Sequence, residues 1–222
     1  MPTILLIRHG ENEYVKKGRL AGRLPGVQLN EKGRAQAEAL AERLKDAPLK
    51  AIYSSPLDRT QETAEPLARA LGLPVITRPG LNEVDFGSWQ DKTLKQLRRR
   101  KLWPLIQGSP SRARFPDGES FAEAQLRVCS ELEALNRQHR PKDLFAVFSH
   151  SDIIKLAVAY FAGIPLDHFQ RLMIFPASIT TLHLGSGGAH LINMNTALAP
   201  PFSQDTSRPS GKNIGSKTHR QA

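Results

Sequence analysis

One pattern restricts this chain more than any other: an apolar run that stops in polar residues and gives way to a helix-like stretch. It occurs three times. Ile4-Leu5-Leu6-Ile7 ends in Arg8-His9-Gly10-Glu11, Leu49 to Tyr53 ends in Ser54-Ser55-Pro56, and Leu144-Phe145-Ala146-Val147-Phe148 ends in Ser149-His150-Ser151-Asp152. The first and last runs show no alternation of apolar and polar residues, as a strand covered on both faces requires. Strands of that kind sit in parallel sheets with helices on either side, so the pattern predicts an α/β fold, a three-layer α/β/α sandwich around a mostly parallel central sheet. The C-terminal ends of such strands share one edge, and ligands bind there. Gly10 lets the chain turn sharply after the first strand and lets a ligand approach the backbone.

The intervening segments fit that frame. Asn12 to Gly26 reads as a glycine-rich loop carrying Arg19 and Arg23, a plausible rim for a binding site. Asn30 reads as an N-cap for a helix whose stripe is Ala35, Ala37, Leu40, Ala41 and Leu44, running to about Asp46 and stopped by Pro48. Leu57 to Leu71 carries Ala64, Leu67, Ala68 and Leu71 on one side. Arg59 and Thr60 thereby fall in its first turn, where free amides and the helix dipole favour an anion. Ser120 to Arg137 is an amphipathic helix, and Ile153 to Phe161 a largely buried one. Pro74 to Thr77 reads as an edge strand, and Ile179 to Leu184 with His190 to Met194 as a hairpin in which His183 and His190 are strand residues. His139, His168 and His219 read as surface residues.

From Lys92 to Gly118 the pattern weakens: Leu94, Leu97, Leu102 and Leu105 have helical spacing, but Pro104, Gly108, Pro110, Pro116 and Gly118 interrupt it. This reads as a lid near residues 90–118 within a single domain spanning 1–200. Residues 201–222 are rich in Ser, Thr, Pro, Gly, Lys and Arg, and are expected to form a basic, disordered tail.

At 222 residues and 40% hydrophobic, the chain can bury one substantial core. No apolar run is long enough to cross a bilayer, and the first residues lack the basic stretch and continuous apolar core of a signal peptide. The sole cysteine, Cys129, lies among Leu126, Val128 and Leu132 at helical spacing and reads as a packing residue, which fits a cytoplasmic setting. A net charge of +10 favours anionic partners. Neither basic run, Lys92 to Lys101 or the tail, has interleaved aromatics, so nucleic acid is not the expected partner. No metal-ligand spacing is present, and the sequence carries no readable oligomeric state.

If the three strands are parallel, Arg8, His9, Arg59 and His150 converge on one pocket. Arginine presents a planar fork that matches two phosphate oxygens, and histidine can act as nucleophile or base. Glu83 and Asp85 lie in a loop flanked by apolar and aromatic residues, surroundings that would hold a proton on a carboxyl group. Trp89, Trp103, Phe115 and Phe121 either line a specificity pocket or pack the lid.

The motifs Leu6-Ile7-Arg8-His9-Gly10, Leu29-Asn30-Glu31-Lys32-Gly33-Arg34-Ala35-Gln36-Ala37, Tyr53-Ser54-Ser55-Pro56-Leu57-Asp58-Arg59-Thr60-Gln61-Glu62-Thr63, Glu83-Val84-Asp85-Phe86-Gly87-Ser88-Trp89 and Phe148-Ser149-His150 occur in this order. Together they resemble the histidine phosphatase superfamily, which includes the phosphoglycerate mutases, over most of residues 3 to 196. The resemblance implies that His9 accepts the phosphoryl group as a phosphohistidine and that Arg8, Arg59 and His150 hold its oxygens. It implies that Glu83 protonates the leaving oxygen and then activates water, with Asn12 and Ser151 as further substrate contacts and no metal or other cofactor. The expected activity is hydrolysis of a small phosphorylated metabolite. The alternative is a phosphomutase of the phosphoglycerate mutase type, primed by 2,3-bisphosphoglycerate. Many members carry Ser or Thr at the position of Asn12 and Asn at that of Val15. Asn12 retains a donor and Val15 does not, which leaves Arg19 or Arg23 as conceivable substitutes.

Overall fold

The computed structural model describes residues 2–185 and 187–196; the basic tail, with His219, lies outside the described residues. A six-stranded sheet has the order β3-β2-β4-β1-β5-β6, with β1 Thr3–Arg8, β2 Leu49–Ser54, β3 Val75–Thr77, β4 Leu144–Ser149, β5 Ile179–Gly185 and β6 Gly188–Thr196. Strands β1 to β4 are mutually parallel, and β5 runs antiparallel to both β1 and β6. The helices are α1 Glu13–Lys16, α2 Glu31–Leu44, α3 Asp58–Leu71, α4 Leu94–Leu97, α5 Trp103–Gly108, α6 Phe121–Arg137 and α7 Ser151–Phe161.

Alternation along the strands divides the core in two. Leu5, Ile7, Ile52, Ala146 and Phe148 pack under Leu40, Ala41, Ala64 and Leu67 of α2 and α3. Ile4, Leu6, Tyr53, Phe145 and Val147 pack on the other face with Val128, Leu132, Ile154 and Leu156 of α6 and α7. Unbroken apolar runs are needed because both faces are covered. Neighbouring strands β1 and β4 thus send their following helices to opposite faces, which opens a crevice between their C-terminal ends. Residues Arg8 and Ser149 are register partners there, and His9 N–H donates to the Ser149 carbonyl at 3.0 Å.

Several expectations need correction. The stretch after Gly10 is not all loop, since Asn12 caps the single-turn helix α1 by accepting from Val15 N–H at 2.9 Å. Four residues are too few to show a period. Pro104 does not break the lid segment; it occupies the first turn of α5, where its missing N–H costs nothing. His139 is not a free surface residue: its ring stacks on Phe145 at 4.2 Å, and Nε2 is 3.1 Å from the Tyr53 hydroxyl. It follows directly on α6 and folds back onto the sheet. Gly10 is required less for a ligand than for a helix, because a Cβ there would lie 2.6 Å from the Gly33 carbonyl oxygen of α2.

Candidate active site

The loop carrying His9 is held from two sides by the following helices. A Cβ on Gly33 would come 2.0 Å from the Glu11 carbonyl oxygen, so α2 approaches the loop backbone to backbone. The Glu11 carboxylate accepts from Asn30 Nδ2 at 3.1 Å and Lys32 Nζ at 2.8 Å, and Glu11 N–H donates to Gln36 Oε1 at 2.8 Å. From α3, the Thr63 hydroxyl oxygen accepts from Gly10 N–H at 3.0 Å and donates to the Arg59 carbonyl at 2.6 Å. One residue thereby links the histidine loop to the arginine turn.

His9 Nδ1 lies 2.7 Å from the Gly10 carbonyl oxygen. A carbonyl only accepts, so Nδ1 carries the ring proton and Nε2 keeps its lone pair. Burial first, then the charges of Arg59 and Arg8, push the imidazole pKa well below its ordinary value, and the ring is neutral at pH 7. His150 is fully buried, with its ring centroid 5.4 Å from that of His9. Arg59 Nη2 is 3.3 Å from His150 Nδ1 and can only donate, so His150 carries its proton on Nε2, 2.8 Å from Ser55 Oγ. Burial, followed by Arg59, also drives the His150 pKa well down.

Arg8, His9, Asn12, Arg59, Glu83 and Ser151 line one cavity of about 390 Å³. The structure brings these predicted residues together; His150 stands behind the wall, touching the cavity group through Arg59 and His9. Arg59 is 1% exposed and donates through Nη2 to the Gly22 carbonyl at 2.7 Å. Arg8 Nη1 donates to the Ile174 carbonyl at 2.6 Å. Beyond those anchoring bonds, Arg8 Nε, Arg59 Nε, Arg59 Nη1 and Asn12 Nδ2 are buried donors without partners among the described residues. Two full positive charges and four unmet donor atoms in one wall suit a phosphate dianion.

Glu83 is buried at the cavity wall, its Oε1 accepting from Val84 N–H at 3.0 Å and its Oε2 lying 3.8 Å from His150 Nδ1. Burial first, then repulsion from Asp152, raises its pKa to about 7 against the opposing pull of Arg59. A carboxyl group poised there can give or take a proton near neutrality.

Sequence reasoning missed what holds Glu83 in place. Arg23 Nε donates to the Glu83 carbonyl at 2.8 Å, and Arg127 of α6 donates to the carbonyls of Gly80 at 2.9 Å and Asn82 at 2.8 Å. Glu119 Oε1 bridges the two guanidinium groups, at 2.9 Å from Arg23 and 2.7 Å from Arg127, and also takes Asp85 N–H at 2.9 Å. Arg23 is thus committed to the acid loop, and Arg19 is paired with Asp91 at 2.6 Å, so neither is free to replace the donor lost at Val15. Trp89, Trp103, Phe115 and Phe121 do both things weighed for them, lining the cavity while packing against one another in the ring pairs Trp89–Trp103 and Phe115–Phe121. Among the described residues no group of three or more His, Cys, Asp or Glu could hold a metal ion, and no helix is long and apolar enough to cross a membrane.

A neutral histidine with its Nε2 lone pair free, caged by arginines at the crevice of a mostly parallel sheet and sharing its cavity with a carboxyl group, defines a phosphoryl-transfer fold and site. The chain belongs to the histidine phosphatase superfamily, branch 1, which it matches over residues 4–197. It is 30% identical over 200 residues to phosphoserine phosphatase 1 of Hydrogenobacter thermophilus, covering 88% of this chain and 92% of that one. It is 34% identical over 186 residues to a probable phosphoglycerate mutase, GpmB, of Proteus mirabilis, covering 81% and 84%. In structure it matches phosphoserine phosphatase of Entamoeba histolytica, solved with 3-phosphoglyceric acid, with a TM-score of 0.80 and 26% identity, covering 89% of this chain and 98% of that one.

Proposed function

We propose that this enzyme hydrolyses a small phosphate monoester in two steps through a phosphohistidine on His9. The observation that carries the reading is the set of partnerless buried donors on Arg8, Asn12 and Arg59 in the cavity wall that His9 shares. Leaving such donors unmet costs about 1–3 kcal/mol each, more for charged groups, which an anion would relieve. In the first step Nε2 of His9 forms a bond to phosphorus while the ester P–O bond breaks, and Glu83 gives its proton to the departing oxygen. In the second, the Glu83 carboxylate takes a proton from water, the water oxygen attacks phosphorus, and the N–P bond breaks to free phosphate. Arg8, Arg59 and Asn12 stabilise the charge on the equatorial oxygens in both steps, with the free amides at the start of α7, at Ser151, beside them. His150 fixes Arg59 and stands beside His9. No metal or other cofactor takes part.

A cytoplasmic setting belongs to this reading. It is supported by the single cysteine, Cys129, a buried thiol whose pKa burial pushes up to about 12. The mutase alternative is favoured by the similarity to GpmB and would make 2,3-bisphosphoglycerate the primer.

The test is phosphate release from a panel of esters including 3-phosphoglycerate, with EDTA present, for the wild type and His9→Ala. Release by the wild type alone, undiminished by EDTA, is expected. Conversion of 3- to 2-phosphoglycerate only after 2,3-bisphosphoglycerate is added, with no release, would make the chain a mutase.

A further inference from the structure

The phosphate cage fills one end of the cavity, and the rest of its wall has a chemistry of its own. Val15, Leu20 and Trp103 make that part apolar, backed by the buried Phe86, Trp89, Leu97 and Ile106. Trp89 and Trp103 lie nearly parallel, with centroids 6.3 Å apart and planes at 14°.

The charges along this wall are mostly spoken for. Arg19 is paired with Asp91, and Asp152 accepts from Lys155 Nζ at 2.7 Å. Glu83 must hold a proton to serve as the acid, and an ammonium group beside it would favour the ionised form that cannot donate. The two carboxyl groups in the wall are therefore already engaged, Asp152 by the Lys155 ammonium and Glu83 by the proton it must give. Arg98, in contrast, lines the cavity from the end of α4, is exposed, and makes no side-chain hydrogen bond or ion pair among the described residues.

We propose that, given the hydrolase reading above, the alcohol part of the substrate is apolar and of ring or branched-chain size, bears no cation, and carries an anionic group only where it reaches Arg98. Phosphoserine, whose ammonium would have to compete with Lys155 for Asp152, is then a poor substrate, although relatives of this chain are named for it.

The test measures kcat/KM for phosphate release from propyl, hexyl, 2-aminoethyl and 5-carboxypentyl phosphate and from phosphoserine. Each buried methylene is worth about fourfold, so hexyl phosphate, with three more, should exceed propyl phosphate by up to about sixtyfold. The two ammonium esters should fall below propyl phosphate. Val15→Asn should narrow the hexyl-to-propyl ratio, and Arg98→Gln should lower the carboxypentyl-to-hexyl ratio by about fivefold, in keeping with loss of one exposed charge contact. Turnover of phosphoserine or 2-aminoethyl phosphate equal to that of hexyl phosphate would overturn the specificity while leaving the hydrolase intact. An Arg98→Gln ratio unchanged from wild type would remove Arg98 from it. Absence of release from every ester would overturn the hydrolase reading itself.

Discussion

At the scale of single residues, the site works by holding protons where they are useful. The proton of His9 is committed to the Gly10 carbonyl, leaving Nε2 nucleophilic, and Glu83 keeps its proton up to about pH 7. As the proposed acid, Glu83 is competent below its raised pKa and loses the leaving-group proton as pH climbs through 7. In single-turnover experiments, phosphorylation of His9 by an alkyl phosphate should therefore fall about tenfold per pH unit above that point. Glu83→Gln should be slower by about 10²–10⁴ and flat across the same range. With p-nitrophenyl phosphate, whose leaving group needs no proton, the penalty should shrink. A pH profile of Glu83→Gln with the same alkaline limb as wild type would assign the acid elsewhere. Arg8, His9, Arg59 and Glu83 were legible in the sequence because reactive residue types fell directly after a strand-like run, in the first turn of a following helix, or in an apolar loop. Glu119 and Arg127 were not, since each reads as a polar residue beside or on an amphipathic helix; only the fold brings them to the same carbonyls.

At the scale of elements, two features set the geometry. The first is the approach of α2 to the histidine loop at Gly10 and Gly33. Gly33→Ala would force its Cβ into the Glu11 carbonyl, and it should cost about 1–3 kcal/mol or more of stability by overpacking and lower kcat in the protein that still folds, as thermal unfolding and initial rates would report. The second is the Arg23–Glu119–Arg127 bridge over the acid loop. Glu119→Gln, which keeps the shape but not the charge, should reduce kcat about tenfold for alkyl phosphates and much less for p-nitrophenyl phosphate, because the loss acts through Glu83; equal losses on both would mean a purely structural role. The long elements could be read because their apolar stripes span several turns: α6, with Ser120 and Glu123 closing a capping box, begins where predicted. Helices α1, α4 and α5 have four, four and six residues, too short for periodicity, and their form is set by Asn12, Thr93 and Pro104 at their starts. The strand-run pattern predicted the layers, whereas the insertion of β4 between β1 and β2 is a matter of tertiary pairing that no local signal records.

At the scale of the whole molecule, a net charge of +10 should draw a dianionic ester toward the site over distances beyond contact. Raising ionic strength from about 10 to 300 mM, which shortens the screening length from about 30 Å to below 8 Å, should lower kcat/KM while leaving kcat nearly constant; a constant kcat/KM would show that the charge does not steer. Topology has a consequence of another kind, for a chain that is made from one end. The strand that delivers His9 is synthesised well before both of its sheet neighbours, β4 from Leu144 and β5 from Ile179. Until those residues leave the ribosome, Ile4 to Ile7 has no edge to pair with and stays an unprotected sticky segment, the kind of nascent stretch that chaperones bind. The backbone bonds of Arg8 to Ala177 and Ser178 wait for the same late segment. His9 is therefore translated well before the strands that complete its surroundings, so the site cannot form on a half-made chain.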